Sequence, residues 1–188
     1  VDSKVFVGKS IIHVAVFKKK DNRTIYNMIY RDGKAGTSFM KRFAVTGVTR
    51  DKPYDLTQGK AGSEILYFSA NPNGEAEVVS ILLRNVGSIK KLKWDLDFSD
   101  LQIKGRSARG NIITKYAVRK IELKEKGIST LQPRKIWFDT PIRRLNVEGR
   151  GDLLGAFKGE DKLLIATNLG SIRAVAPEVT LHFDENDI

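Results

Sequence analysis

Gly36-Thr-Ser-Phe-Met-Lys-Arg-Phe-Ala-Val45 and Gly110-Asn-Ile-Ile-Thr-Lys-Tyr-Ala-Val118 are the stretches on which the reading of this chain turns. Each opens on glycine, alternates apolar with polar residues and closes on Ala-Val, the pattern of a half-buried strand entered from a turn. Two looser copies, Gly74-Glu-Ala-Glu-Val-Val79 and Gly170-Ser-Ile-Arg-Ala-Val175, each follow an apolar run, Ile65-Leu-Tyr-Phe-Ser-Ala70 and Leu163-Leu-Ile-Ala-Thr167. The unit is strand, Gly turn, strand, which predicts one hairpin per repeat. The four glycines lie 38, 36 and 60 residues apart, bracketing the ~40–50 residues of a four-stranded propeller-type blade. The expectation is an all-β, propeller-like disc of about four four-stranded blades, a single domain over residues 1–188. A Greek-key sandwich or barrel, in which the glycines only mark hairpin turns, stays open. The WD and kelch signatures are absent.

Working outward, strands are expected at Ser10–Lys18, Thr24–Tyr30, Ser38–Val45, Glu64–Ala70, Ala76–Leu83, Ser88–Trp94, Asn111–Ala117, Lys135–Phe138, Leu163–Thr167 and Ser171–Val175. Between them, Arg31-Asp32-Gly33, Asn71-Pro72-Asn73-Gly74 and Asn168-Leu169-Gly170 carry the Asx/Gly chemistry of tight turns needing positive φ. Antiparallel hairpins are expected to follow.

The 33 Lys and Arg against 22 Asp and Glu give a net charge of +11, which suits a polyanionic partner. The absence of cysteine excludes disulfide scaffolds, thiolate zinc sites and cysteine nucleophiles, and fits a reducing cytosol. No apolar run approaches the ~18 residues of a membrane span, and the chain reads as a soluble fragment of something longer. No catalytic constellation stands out. His13 lies in the apolar run 11–16 as a structural strand residue, and His182 lies in an acidic tail. Gly149-Arg-Gly151 and Gly33-Lys-Ala-Gly36 lack the endings of phosphate-cradling loops, and nothing selects a pair from Asp95, Asp97, Asp100 and Glu122.

The cations, in contrast, recur. Between Lys104 and Lys126 eight of them face only Glu122 and Glu125. Ile103-Lys-Gly-Arg-Ser-Ala-Arg-Gly110 is the core of this group: its glycines let backbone approach a phosphate while Lys104, Arg106 and Arg109 supply charge. Lys41 and Arg42 with Arg31 and Lys34 repeat the pattern at the first copy, and Lys115, Arg119 and Lys120 extend it. Any one cluster could be a solvated strand face, but the recurring set is better explained by phosphate contact. The residues expected to contact DNA are therefore Lys41, Arg42, Lys104, Arg106, Arg109, Lys115, Arg119 and Lys120. A basic rim would bind duplex without reading base sequence. The aromatics Phe39, Phe43, Tyr67, Phe68, Trp94, Phe98, Tyr116, Trp137 and Phe157 are expected in the core, not on a single-strand stacking platform.

Tyr30-Arg-Asp-Gly-Lys34, Met40-Lys-Arg-Phe-Ala-Val-Thr46, Ile103-Lys-Gly-Arg106, Gly110-Asn-Ile-Ile-Thr-Lys-Tyr-Ala-Val118 and Thr167-Asn-Leu-Gly170 resemble the blade repeats of the C-terminal domains of bacterial type IIA topoisomerase A subunits, in the style of the Bacteroidetes. The resemblance spans nearly the whole chain and is nearer to topoisomerase IV than to DNA gyrase. It implies a β-pinwheel, a disc whose blades exchange outer strands, with duplex DNA bent around a basic perimeter. The Gln-Arg-Arg-Gly-Gly-Lys-Gly box of gyrase A subunits is missing, and Lys104-Gly-Arg-Ser-Ala-Arg-Gly110 is too divergent to replace it. The resemblance further implies a non-catalytic domain without a cofactor of its own. ATP and Mg2+ act elsewhere in the holoenzyme, the partners are DNA, the rest of the A subunit and the ATPase B subunit, and the setting is cytoplasmic and nucleoid-associated. A propeller-like protein-interaction module is the competing reading, and a β-sandwich hydrolase a remoter one. The acidic end, Asp184-Glu-Asn-Asp187, is either an autoinhibitory tail or a solvated terminus.

Overall fold

The computed structural model describes residues 10–57, 59–85, 87, 89–158, 161–177 and 183. It is an all-β chain of thirteen strands and one 3-10 turn among those residues, in four small sheets of which none closes on itself. Two compact units divide it, Val1–Gly127 and Ile128–Ile188.

In the first unit, β1 (Ile25–Arg31) and β2 (Ser38–Ala44) form an antiparallel hairpin, and β3 (Glu64–Asn71) pairs with the other edge of β1. The hairpin turn is Asp32–Thr37, with Gly33 at a φ of +81° and the Asp32 amide donating to the Thr37 carbonyl. The outer edge of β2 is shared by two short strands: β6 (Ile103–Gly105) runs parallel to Arg42–Ala44, and β7 (Asn111–Thr114) runs antiparallel to Ser38–Met40. A second sheet has β4 (Val78–Leu83) between β5 (Lys93–Asp97) and β8 (Val118–Glu125).

Because successive side chains of a strand point to opposite faces, β1 sends Ile29 to one core and Met28 and Tyr30 to another. Ile29 and Met40 pack with Val79, Ile81, Leu83 and Phe98. Met28, Tyr30, Phe39 and Phe43 form the second cluster. The same alternation separates two adjacent cations of β2: Lys41 shares the face of Phe39 and Phe43, and Arg42 the face of Met40.

The second unit holds β9 (Arg134–Asp139) between β10 (Arg144–Asn146) and β11 (Asp152–Phe157), and the hairpin of β12 (Leu163–Ala166) with β13 (Ile172–Val175). Its core is Ile136, Leu145, Ile165 and Phe183, and Phe138 meets Phe183 edge-on at 5.3 Å.

Several expectations need correction. Residues 10–18 form no strand; they are exposed, and His13 sits beside the rings of Tyr26 and Phe68 instead of inside a ladder. The turn at Asn71–Gly74 has Gly74 at the expected positive φ of +66°, but it does not make a hairpin. Strand β3 stays with β1 while β4 joins the other sheet, so the second repeat copy hands the chain between sheets. The strand expected at Ser88–Trp94 begins later, at Lys93. Tyr116, expected in the core, is 50% exposed. The sheets have five, three, three and two strands instead of four each. His182 and the acidic end lie outside the described residues.

Candidate nucleic-acid interface

The segment from Gly105 to Gly110 leaves β2 opposite Ala44, at the end of β6, and returns to it beside Met40, at the start of β7, so it arches back past Phe43, Arg42 and Lys41, of which Lys41 alone has no ladder partner on that edge. A tight turn, with the Ala108 amide donating to the Gly105 carbonyl at 3.0 Å, shapes the arch. Its return requires glycine: a Cβ on Gly110 would stand 2.6 Å from the Met40 carbonyl oxygen. The Tyr30 hydroxyl accepts from the Gly110 amide at 3.5 Å.

The two arginines of the arch are seated on aromatic rings. The Arg106 guanidinium lies 3.7 Å from the centre of the Tyr54 ring, and its Nη1 donates to the Gly47 carbonyl. Tyr54 is itself fixed through its hydroxyl, which accepts from the Thr49 amide and donates to the Thr49 hydroxyl, each at 3.1 Å. The Arg109 guanidinium lies 4.7 Å from the Phe39 ring centre and 3.9 Å from the Asp32 carboxylate. Asp32 is buried in the hairpin turn and also holds Lys60 at 2.9 Å. Stacking on a ring holds a guanidinium in place without using its N–H groups, so those not committed to Gly47 or turned to Asp32 remain as donors for a phosphate. Lys52 lies beside the same Tyr54 ring, at 5.6 Å, and Lys104 is exposed at the middle of β6. A cleft of about 270 Å³ is lined by Lys41, Arg42, Lys104, Arg109, Asp100 and Asn111 among others.

The expected contact residues thus separate. Arg106 and Arg109 stand on the arch, and Lys104, in β6 just before it, lines the same cleft as Arg109. Lys115 is exposed in the connection between β7 and β8, and Arg119 and Lys120 are exposed on β8, the outer strand of the other sheet, where Lys120 pairs with Glu122 at 2.5 Å. Lys41 and Arg42 depart from the expectation of surface contact, being only 4% and 2% exposed. Nζ of Lys41 donates to the carbonyls of Arg106 and Ala108 at 2.8 and 3.2 Å, and burial lowers its pKa to about 8, against a smaller upward pull from Asp55. Arg42 donates from Nε to Asn27 Oδ1 at 3.1 Å and from Nη2 to the Gly74 carbonyl at 2.9 Å. Asn27 in turn donates to Glu77, whose carboxylate also accepts from Ser69. Arg42 is therefore the centre of a buried polar network joining β1 and β2 to the turn that leads into the second sheet. Alternation along β2 explains both placements: its aromatic neighbours bury one face, the core around Ile29 the other.

Tyr54, Phe39, Asp32, Lys52 and Lys60 were not anticipated as parts of this surface. Tyr54 carried a usable signal, since it is an aromatic within the loop-like stretch Thr49-Arg-Asp-Lys-Pro-Tyr-Asp55, away from any strand core. Among the described residues, no group of three or more His, Asp or Glu side chains is placed to hold a metal ion, and no helix is long and apolar enough to cross a membrane.

The chain matches the family described as topoisomerase C-terminal domain, Bacteroidota, over residues 1–126 and 144–188, and it belongs to that family. No curated protein and no solved structure matches it. Membership makes this a C-terminal domain of a bacterial type IIA topoisomerase, with a DNA-interacting role.

Proposed function

We propose that the chain is the non-catalytic duplex-binding domain of a topoisomerase A subunit, nearer to topoisomerase IV than to gyrase, acting in the cytoplasm. It contacts phosphates through the 104–110 arch, bends DNA around its basic perimeter and presents the transfer segment to the remaining domains of the A subunit and to the ATPase subunit. Residues 1–188 act as one DNA-binding domain with pinwheel-like strand exchange. The reading is supported most by Arg106 and Arg109, two guanidiniums of a single loop, each seated on an aromatic ring. The use of one strand edge by β6 and β7, with the passage of the chain from β3 into another sheet, supports the strand-exchanged architecture. Lys115, in the connection after β7, and Arg119 and Lys120, on β8, extend the contact surface.

Phosphate contacts release condensed counterions, so each contributes close to ~0.9 unit to the slope of log affinity against log salt. The test is a salt titration with a duplex long enough to wrap beside a short one. The longer duplex should give the steeper slope with no sequence preference, and replacing Arg106 and Arg109 with Ala should flatten it by about two units. An unchanged slope in the double variant removes the arch from the interface. A flat slope without length dependence removes DNA as the ligand of the basic surface.

A further inference from the structure

We infer that Lys41 is the positioning residue of the arch: an internal ammonium that touches no ligand, but fixes the presentation of Arg106 and Arg109 and so sets their affinity for nucleic-acid phosphates. This deepens the phosphate-contact reading of the same loop and rests on it.

The register puts Lys41 in the one gap of its strand edge. Arg42 is paired with Ile103 of β6 and Met40 with Asn111 of β7, leaving Lys41 opposite the arch instead of a ladder. Its ammonium reaches the arch, donating to Arg106 O and Ala108 O, the carbonyl of one ring-seated arginine and the carbonyl next before the other. The same ammonium lies 4.9 Å from the Phe43 ring centre and 5.9 Å from that of Tyr30, on the face of β2 that it shares with Phe39 and Phe43. The residue therefore combines an apolar stem suited to the cluster around Phe43 with a charged head that satisfies two backbone acceptors.

The consequence for binding follows from the sign of the groups involved. A carbonyl oxygen turned outward beside Arg106 or Arg109 would repel an incoming phosphate and compete for the guanidinium. Lys41 draws both carbonyls inward. The ring stacks and the contacts of Arg106 with Gly47 and of Arg109 with Asp32 hold the guanidiniums, whereas Lys41 holds the carbonyls of Arg106 and Ala108. Preorganised donors lose less on binding than donors that must first be ordered, so loosening the arch should weaken phosphate contact without removing either arginine.

The test is a double-mutant cycle on the full chain with a wrapping-length duplex. It uses Lys41→Met, which keeps the apolar stem, the Arg106→Ala/Arg109→Ala pair, and the combination. Amide hydrogen exchange over 105–110 is followed in parallel. Lys41→Met should lower affinity about tenfold and flatten the salt slope, with no further loss when added to the arginine pair. Exchange within the arch should accelerate, and Lys41→Arg, which keeps charge and donors, should restore part of the affinity. Equal losses in both backgrounds, or unaltered exchange in the arch, overturn the positioning role. An arginine pair that leaves the slope intact defeats the phosphate-contact reading separately, while the exchange measurement still decides what Lys41 does. If Lys41→Met does not fold, Lys41→Gln, neutral but polar, carries the same cycle with the same expected coupling.

Discussion

Replacing Arg42 with Met should destabilise the first unit by about 3–5 kcal/mol, the range for breaking a buried charged network by removing one partner. The magnitude follows from the groups left behind. Asn27 Oδ1 and the Gly74 carbonyl each lose a charged donor, and an orphaned buried acceptor costs ~1–3 kcal/mol. The carboxylate of Glu77, only 4% exposed, also loses the nearby cation whose attraction opposes the effect of burial on Arg42. Methionine fills much of the volume, so the loss is electrostatic more than a cavity effect. The assay is urea denaturation in a Trp137→Phe background, where fluorescence reports from Trp94 on β5, in the sheet that begins just after the Gly74 turn. The midpoint should fall with the slope unchanged. A loss below about 1 kcal/mol would refute the network as the tie between β1, β2 and that turn, and would make Arg42 a residue that merely tolerates burial.

Other outcomes follow from the same geometry. Gly36→Ala would set a Cβ 1.5 Å from the Asp32 carbonyl oxygen, so the β1–β2 turn must break, and thermal denaturation should show a loss of more than about 3 kcal/mol. Tyr54→Leu removes the seat of Arg106 and should weaken duplex affinity about two- to fivefold in a direct titration, in keeping with ~0.5–1 kcal/mol for an exposed cation–π pair. Lys41, with a folded pKa of about 8 against 10.5, releases its proton earlier in the folded state, so its contribution to stability should rise with pH between about 8 and 10. Tyr67, pushed up to about 12 chiefly by burial, acts oppositely and only above pH 10, where its stabilising contribution is lost. Denaturation midpoints of wild type and Lys41→Met across that window should therefore diverge; parallel curves would contradict the assignment.

What the sequence revealed was local. The β1–β2 hairpin and the glycines at 33, 74 and 170 were readable because alternation and Asx/Gly turn chemistry act over a few residues. Turn chemistry told that the chain reverses at Asn71–Gly74, but not which sheet receives it. Strand β8 was hidden by its charges: Val118, Ile121 and Leu123 alternate irregularly with cations because an outer strand keeps much of its length in water. The three residues of β6 were too few to show a period, and their parallel partner is some sixty positions away. At the candidate site, linear clustering found Lys104, Arg106 and Arg109 but could not separate surface cations from internal ones. Applying the two-residue period to Phe39-Met-Lys-Arg-Phe43 would have sent Lys41 and Arg42 to opposite buried faces.

The shared edge of β2 also bears on how the molecule is made. Strand β2 can zip onto β1 as soon as both leave the ribosome, yet its other edge is covered only when residues 103–114 emerge, after β4 and β5 have been synthesised. Such non-local closures are slow steps in folding, and until this one is complete the nascent chain carries an open strand edge flanked by Phe39 and Phe43, a template for mispairing with a neighbouring chain. The arch that carries Arg106 and Arg109 is therefore the product of the closing step, and a chain that has not finished folding has no preformed basic loop to offer.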